Sequence, residues 1–346
     1  MCKKISIITI GILSLSAAAY SQDIHFSQST EAPLLLNPSQ AGMGHDVLVT
    51  MNYKTQWKSV TTPYKTLNVG ADFTILGKAN ERHMGIGLNV FTDKAGDGSM
   101  STTFGSLDLS GVLRASGNNL ISGGISCGFG QRKLVYDNLT WDNQYDGMHF
   151  IPGSPTGEPG TFSNHNMLDI SAGVSWYYGD KTSTISSNDA KIFAVGFALQ
   201  HINKPVYSFY GDADERLPMK FVAHGKADIG IKNYSLILEP SYLVMIQAGH
   251  HEITPGMMVK YTPREASRYT GRIKASAFCL SGYYRHKDAF VACVRYEYSY
   301  WSAGFSYDIN ISNLNTASHA MGGFEISLRF MSPDPFGHKT TRRMID

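Results

Sequence analysis

The sequence predicts an all-β chain: a transmembrane antiparallel β-barrel of about 14 strands, with a short periplasmic or plug-like segment at its N-terminus. Three observations predict it. The first is composition: 34 glycines, 19 tyrosines and 17 phenylalanines in 346 residues, with only 17% charged residues. Ordinary soluble chains carry about 25% charge and about 7% Gly. The second is periodicity. Apolar and polar residues alternate with period two along most of the chain, and no segment after residue 21 keeps a helical 3.6 period. The third is the polar half of that alternation, which holds too many ionisable groups for a dry core. A formal net charge of +2 offers no basic field for nucleic acid. A mean hydropathy of −0.17 excludes a polytopic helical membrane protein. Length alone suggests two domains at about 150 residues each, but a barrel uses such a length as one.

Residues 1–21 read as a secretory signal. Lys3 and Lys4 precede an apolar run too short for a good spanning helix, and Ala19-Tyr20-Ser21 forms a small-x-small cleavage site. Its removal would lower the basic count from 30 to 28, equal to the acidic count. Residues 22–45 form the N-terminal periplasmic or plug segment. The turn-forming Asn37-Pro38 and Gly42 lie beside an apolar Leu34-Leu35-Leu36 that needs burial. The segment is therefore expected to fold against or into the periplasmic mouth of the barrel.

Residues 46–331 form the barrel. Strands are expected near 47–59, 66–76, 84–93, 101–115, 120–131, 166–178, 191–201, 219–232, 234–247, 250–261, 270–284, 288–299, 301–311 and 322–331. An even count and lengths near 9–11 residues suit tilted membrane strands. The longest connections, 132–165, 202–218 and 312–321, fall on one side, and tight turns at 116–119, 232–233 and 299–300 on the other. Long outside and short inside is the barrel pattern. Lys54, Gln56, Asp169, Lys226, Asp228, Glu239, Arg295, Glu297 and Arg329 share the polar phase and are expected to face a wet lumen. Trp57, Trp176, Tyr177, Tyr178, Tyr283, Tyr284, Tyr298, Tyr300 and Trp301 sit near strand ends and suit interfacial girdles.

The 132–165 loop holds Tyr136, Trp141, Tyr145 and Phe150, too many aromatics for a solvated spacer. It either plugs the lumen or presents anchors to a partner. Tyr207, Phe209 and Tyr210 of the 202–218 loop are candidates to join it. Asp93, Lys94 and Asp97 read as a surface loop with too few oxygen ligands for calcium. Gly123, Gly124, Gly128 and Gly130 fall within a strand and read as bends or side-chain clearance. Of the three cysteines after the signal, Cys127 is an apolar packing residue. Cys279 and Cys293 are expected on opposite faces of a hairpin and so unpaired. His250-His251 mark a tight turn. No metal spacing, H-E-x-x-H or G-x-S-x-G occurs, so neither a cofactor nor an enzymatic activity is expected. Residues 332–346 form a basic C-terminal periplasmic tail behind Pro333 and Pro335.

Several short motifs occur in a fixed order. Phe26-Ser27-Gln28, Asn37-Pro38-Ser39-Gln40-Ala41-Gly42, Tyr53-Lys54-Thr55-Gln56-Trp57 and Asp93-Lys94-Ala95-Gly96 open the chain, and Glu325-Ile326-Ser327-Leu328-Arg329-Phe330 closes it. As an ordered set covering residues 22–330 they resemble the PorP/SprF proteins. Phe324 stands where that family usually has His. The resemblance implies an outer-membrane barrel of the type IX secretion system of Bacteroidetes, supporting secretion or surface anchoring of large adhesins with C-terminal sorting domains, in some members linked to gliding motility. The implied partners are outer-membrane lipid, the adhesin and other secretion components. Phe26, Gln28, Asn37, Pro38, Gly42, Gln56, Trp57, Asp93, Lys94, Glu325 and Phe330 would then be structural motif residues, Trp57 as an interface anchor. The reading from the residues alone leaves a second possibility, a transporter or porin for small hydrophobic molecules.

Overall fold

In the computed structural model, described for residues 23–59, 62–77, 82–96, 100–116, 118–135, 139–157, 164–180, 191–209, 214–231, 234–264, 276–312 and 318–332, fourteen antiparallel strands close into one barrel. They are β1 (Val47–Gln56), β2 (Tyr64–Ile75), β3 (His83–Ala95), β4 (Met100–Ser116), β5 (Asn119–Lys133), β6 (His165–Asp180) and β7 (Lys191–Gln200). The second half comprises β8 (Lys220–Gly230), β9 (Leu236–Gln247), β10 (His250–Arg264), β11 (Ser276–Arg285), β12 (Ala289–Tyr298), β13 (Trp301–Asn310) and β14 (Met321–Ser332). Each strand pairs with its sequence neighbours, and β1 closes on β14 from Val47↔Ser332 to Gln56↔Gly323. Closure leaves no edge and excludes a two-sheet sandwich. The expected strands are all present. Residues 270–275, expected to begin β11, lie outside the described residues, as do the signal and residues 333–346.

The alternation decides which face is which. Leu280 is 64% exposed and Ile125 61%, while Asn52 and Glu325 are 0% exposed. Apolar residues thus form an outward belt too large for a water-facing surface, and the polar set lines the lumen, Lys54, Asp169, Glu239 and Arg295 included. Cys127 lies on the outer face. Turn chemistry fixes register at the tight ends: the two-residue turn Ala248-Gly249 has φ of 50° and 81°, the left-handed pair that twisted hairpins favour.

Five expectations change. Cys279 and Cys293 are both buried and luminal, because Cys279 pairs with Arg295 and Cys293 with Ser281. Tyr283 is 4% exposed and luminal: the strict alternation that turns Tyr284 outward turns Tyr283 in. Tyr177, between Trp176 and Tyr178, likewise faces Gly44 of the N-terminal segment. Asp93 and Lys94 belong to β3 and not to a loop, so Asp93 points inward. Trp57 follows the end of β1 with φ of 58°; this left-handed residue breaks the period and brings the indole against Tyr64, ring centroids 4.8 Å apart.

Candidate functional site

The lumen is occupied by the chain's own N-terminal segment. From Asp46 at the short-turn end, residues 45 to 23 climb the full height of the barrel, so that Asp23 reaches His201 and Lys220 at the long-loop end. This is deeper than the mouth, because the wall offers partners all the way up.

Near the short-turn end, the Gly42 N–H donates to Asp72 Oδ1 (2.7 Å), and His45 bonds the same carboxylate. Gly42 itself has φ of 65°, which only glycine adopts freely. Higher up, Asn37 Oδ1 caps the Pro38–Gln40 turn by accepting from Ser39 N, while its Nδ2 donates to the wall carbonyls of Val174 and Phe197. Ser110 and Ser122 donate to the carbonyls of Ala41 and Ser39. The backbone comes so close that a Cβ on Gly124 would stand 2.6 Å from Ser39 Cα, and one on Gly85 2.0 Å from the Ala41 oxygen. Of the expected glycine roles, Gly124 therefore clears backbone, and Gly128 clears the Phe104 ring. Leu36 packs on a luminal apolar patch of Ala198, Val222, Leu243 and Met245.

The opposite wall holds the segment by charge. Glu325 accepts the backbone N–H groups of Ser27 (2.7 Å) and Gln28 (3.1 Å). The Gln28 side chain donates to Ser306 and accepts from Ser327. Glu31 meets Arg295 at 2.8 Å and Arg329 at 3.2 Å. The Phe-Ser-Gln motif at one end of the chain and Glu325 at the other are thus two halves of one clamp. Asn37, Pro38 and Gly42 form its middle, and Phe330 packs outside against Trp301, 4.9 Å between centroids.

Above the segment lies a cavity of about 450 Å³, within the size range of small-molecule sites. Leu34, Leu35 and Pro38 form its floor. Phe91, Phe104, Met167, Trp57, Tyr64, Asp93 and Gln56 form its wall, and Tyr207 and Leu217 its roof. Arg132 fixes the roof, its guanidinium 3.6 Å from the Tyr207 ring centroid and 4.5 Å from that of Phe209, with Nη1 donating to the Tyr207 carbonyl. At the rim, His201 bridges Asp23 (2.7 Å) and Asp169 (2.9 Å). Burial alone would lower the imidazole pKa, but these carboxylates outweigh it and hold it up at about 9.

The loops divide the expected partner residues. Tyr207 and Phe209 fold inward. Residues 141–154 instead form a small hairpin, bridged between Tyr145 and Phe150, that stands in solvent. Asp146 accepts the N–H groups of Met148 and His149, and this holds its carboxyl below the usual range. Tyr145 is 55% exposed and Met148 80%, with Phe150 and Ile151 also exposed; Trp141 is half-buried. Tyr136 and Tyr210 lie outside the described residues. Met148 and Ile151 were missed because only aromatics were weighed.

The closed even-stranded barrel, its outward apolar belt and its filled polar lumen define an outer-membrane β-barrel protein. The chain matches the family described as type IX secretion system membrane protein PorP/SprF over residues 18–330. It belongs to that family, and is an outer-membrane component of type IX secretion. No curated protein matches it. Similar solved structures include the Ralstonia pickettii toluene transporter TbuX (10% identity, 87% of this chain and 93% of that one, TM-score 0.47) and the P. putida toluene transporter TodX (8%, 87% and 94%, TM-score 0.45). BamA from Haemophilus ducreyi is another (8%, 83% and 70%, TM-score 0.40). Likenesses this remote assign no activity to the chain.

Proposed function

We propose that this protein anchors a secreted adhesin at the cell surface, its outer loops binding the adhesin's C-terminal sorting domain and its periplasmic turns meeting the secretion machinery. The observation that carries the reading is the 141–154 hairpin. It is internally bonded, and it places four large apolar side chains in solvent on the outer side of a barrel filled by its own chain. Preformed exposed apolar anchors suit protein recognition, and a filled lumen suits a scaffold better than a conduit. Deleting residues 141–154 should leave a folded barrel and release adhesin into the medium. Crosslinking in intact cells should then lose the sorting domain. Undiminished surface retention would refute the proposal.

The 450 Å³ cavity with Phe91 and Phe104 at its wall favours a second reading, uptake of small hydrophobic molecules. That reading requires conductance or ligand flux in reconstituted bilayers and no adhesin in crosslinked material.

A further inference from the structure

The luminal face of this barrel is polar almost everywhere, yet the outer cavity gathers Trp57, Tyr64, Phe91, Phe104 and Tyr207 around one carboxylate, Asp93. Phe91 and Phe104 stack with centroids 5.4 Å apart. Gly128 leaves the room that the Phe104 ring takes, since a Cβ there would lie 2.2 Å from it. The apolar corner is therefore built into the wall.

The charges lining the cavity are uneven. Asp23 and Asp169 are matched by His201 and Lys220, and His25 lies 3.5 Å from Glu252. Asp93 belongs to no ion pair among the described residues, and what it has is the Thr66 hydroxyl, donating to Oδ1 at 2.6 Å. Among the groups lining the cavity, Asp93 is thus a carboxylate outside any ion pair, beside several π faces, while the nearby Arg132 guanidinium is engaged by the Tyr207 and Phe209 rings and the Tyr207 carbonyl. A carboxylate and aromatic rings each favour a cation over a neutral or anionic guest, and more so where water is scarce.

We propose that the outer cavity is a binding site for a small organic ammonium ion with an aromatic or branched apolar body, the ammonium at Asp93 and the body against Phe91, Phe104 and Leu34. The rim residues Trp57, Tyr64 and Met100 lie at the long-loop ends of their strands, so the guest enters from outside. The site is independent of adhesin anchoring, because none of its residues lies on the 141–154 hairpin.

Calorimetric titration of the full protein in detergent, corrected for empty micelles, tests this with three probes of one shape: 2-phenylethylamine, 2-phenylethanol and 3-phenylpropionate. The amine should bind saturably and at least ten-fold more tightly than the alcohol, and the carboxylate should not bind. Asp93→Asn should weaken the amine at least ten-fold and leave the alcohol unchanged. Equal binding of amine and alcohol to the native protein would overturn the proposal without reference to any variant's folding. Absence of saturable amine binding at millimolar concentration would overturn it as well.

Discussion

The two sides of the lumen hold the same segment by opposite means. Along β10–β14 the contact is electrostatic: Glu325 grips backbone N–H groups, and Glu31 sits between Arg295 and Arg329. Along β3–β7 the contact is steric and made by subtraction: glycines and serines leave a bed into which residues 37–42 sink, bonded through carbonyls. Higher on that second side the bed widens into the cavity. Charge is matched where the segment must stay, and among the described residues the Asp93 carboxylate stays outside any ion pair where a space remains.

Breaking the electrostatic side should have the largest effect. Arg295→Met would leave Glu31 with Arg329 alone in a site where both Glu31 and Arg295 are nearly inaccessible. Removing one partner of a buried pair costs about 3–5 kcal/mol. Protease should then cleave within residues 23–45 while the strands stay protected. Adding Glu31→Leu should restore most of the protection, because it removes the stranded charge.

The rim latch is nearly as large and depends on pH. His201 is held protonated up to about 9 against an ordinary 6.5, which corresponds to about 3 kcal/mol. Since the folded-state pKa is the higher one, this stabilisation is complete below about pH 6.5 and lost as pH rises through about 9. Proteolysis at Asp23 should accelerate above pH 9 in the native protein. In His201→Gln the rate should be high already at pH 7 and flat with pH.

The steric side predicts a smaller effect with an internal control. Gly124→Ala places a methyl group 2.6 Å from Ser39 Cα, whereas Gly123, one residue earlier on the outer face, has nothing within 4 Å. Overpacking costs typically about 1–3 kcal/mol, so Gly124→Ala should lower the melting temperature and Gly123→Ala should not. Equal shifts would show that the segment does not press on β5.

How much of this was legible follows from which physics is local. Alternation depends on residues two apart, so all fourteen strands, the lumen-facing charges and the outer belt could be read directly. Errors arose where the period was carried past a strand end, as at Trp57, or where the two strands of a hairpin were phased separately, as for Cys279 and Cys293, whose faces only the register fixes. The motifs were legible as an ordered set, and their pairing was not. Ser27 and Glu325 are 298 residues apart, and nothing local says that a carboxylate near the C-terminus will meet two N–H groups near the N-terminus. The cavity was hidden for the same reason, since it is built from eight strands, β1 to β8, and the segment below them.

One region of the molecule is supported by neither side of the lumen. The 141–154 hairpin is held by its own bonds: Tyr145 pairs with Phe150, and the Ile151 N–H reaches the Gln144 carbonyl at 2.8 Å. Its apolar side chains contribute little to the barrel, because they remain in water. Tyr145→Ser with Met148→Ser should therefore change the melting temperature by no more than about 0.5 kcal/mol would produce, while reducing adhesin retention at the surface. The separation is diagnostic. Residues held in place by packing lower stability when truncated, and residues that serve recognition lower only binding. If the double substitution destabilises the barrel, the hairpin is part of the fold, and the exposed patch loses its claim as a docking surface. If stability and retention are both unchanged, adhesin contact must lie on outer residues beyond this hairpin.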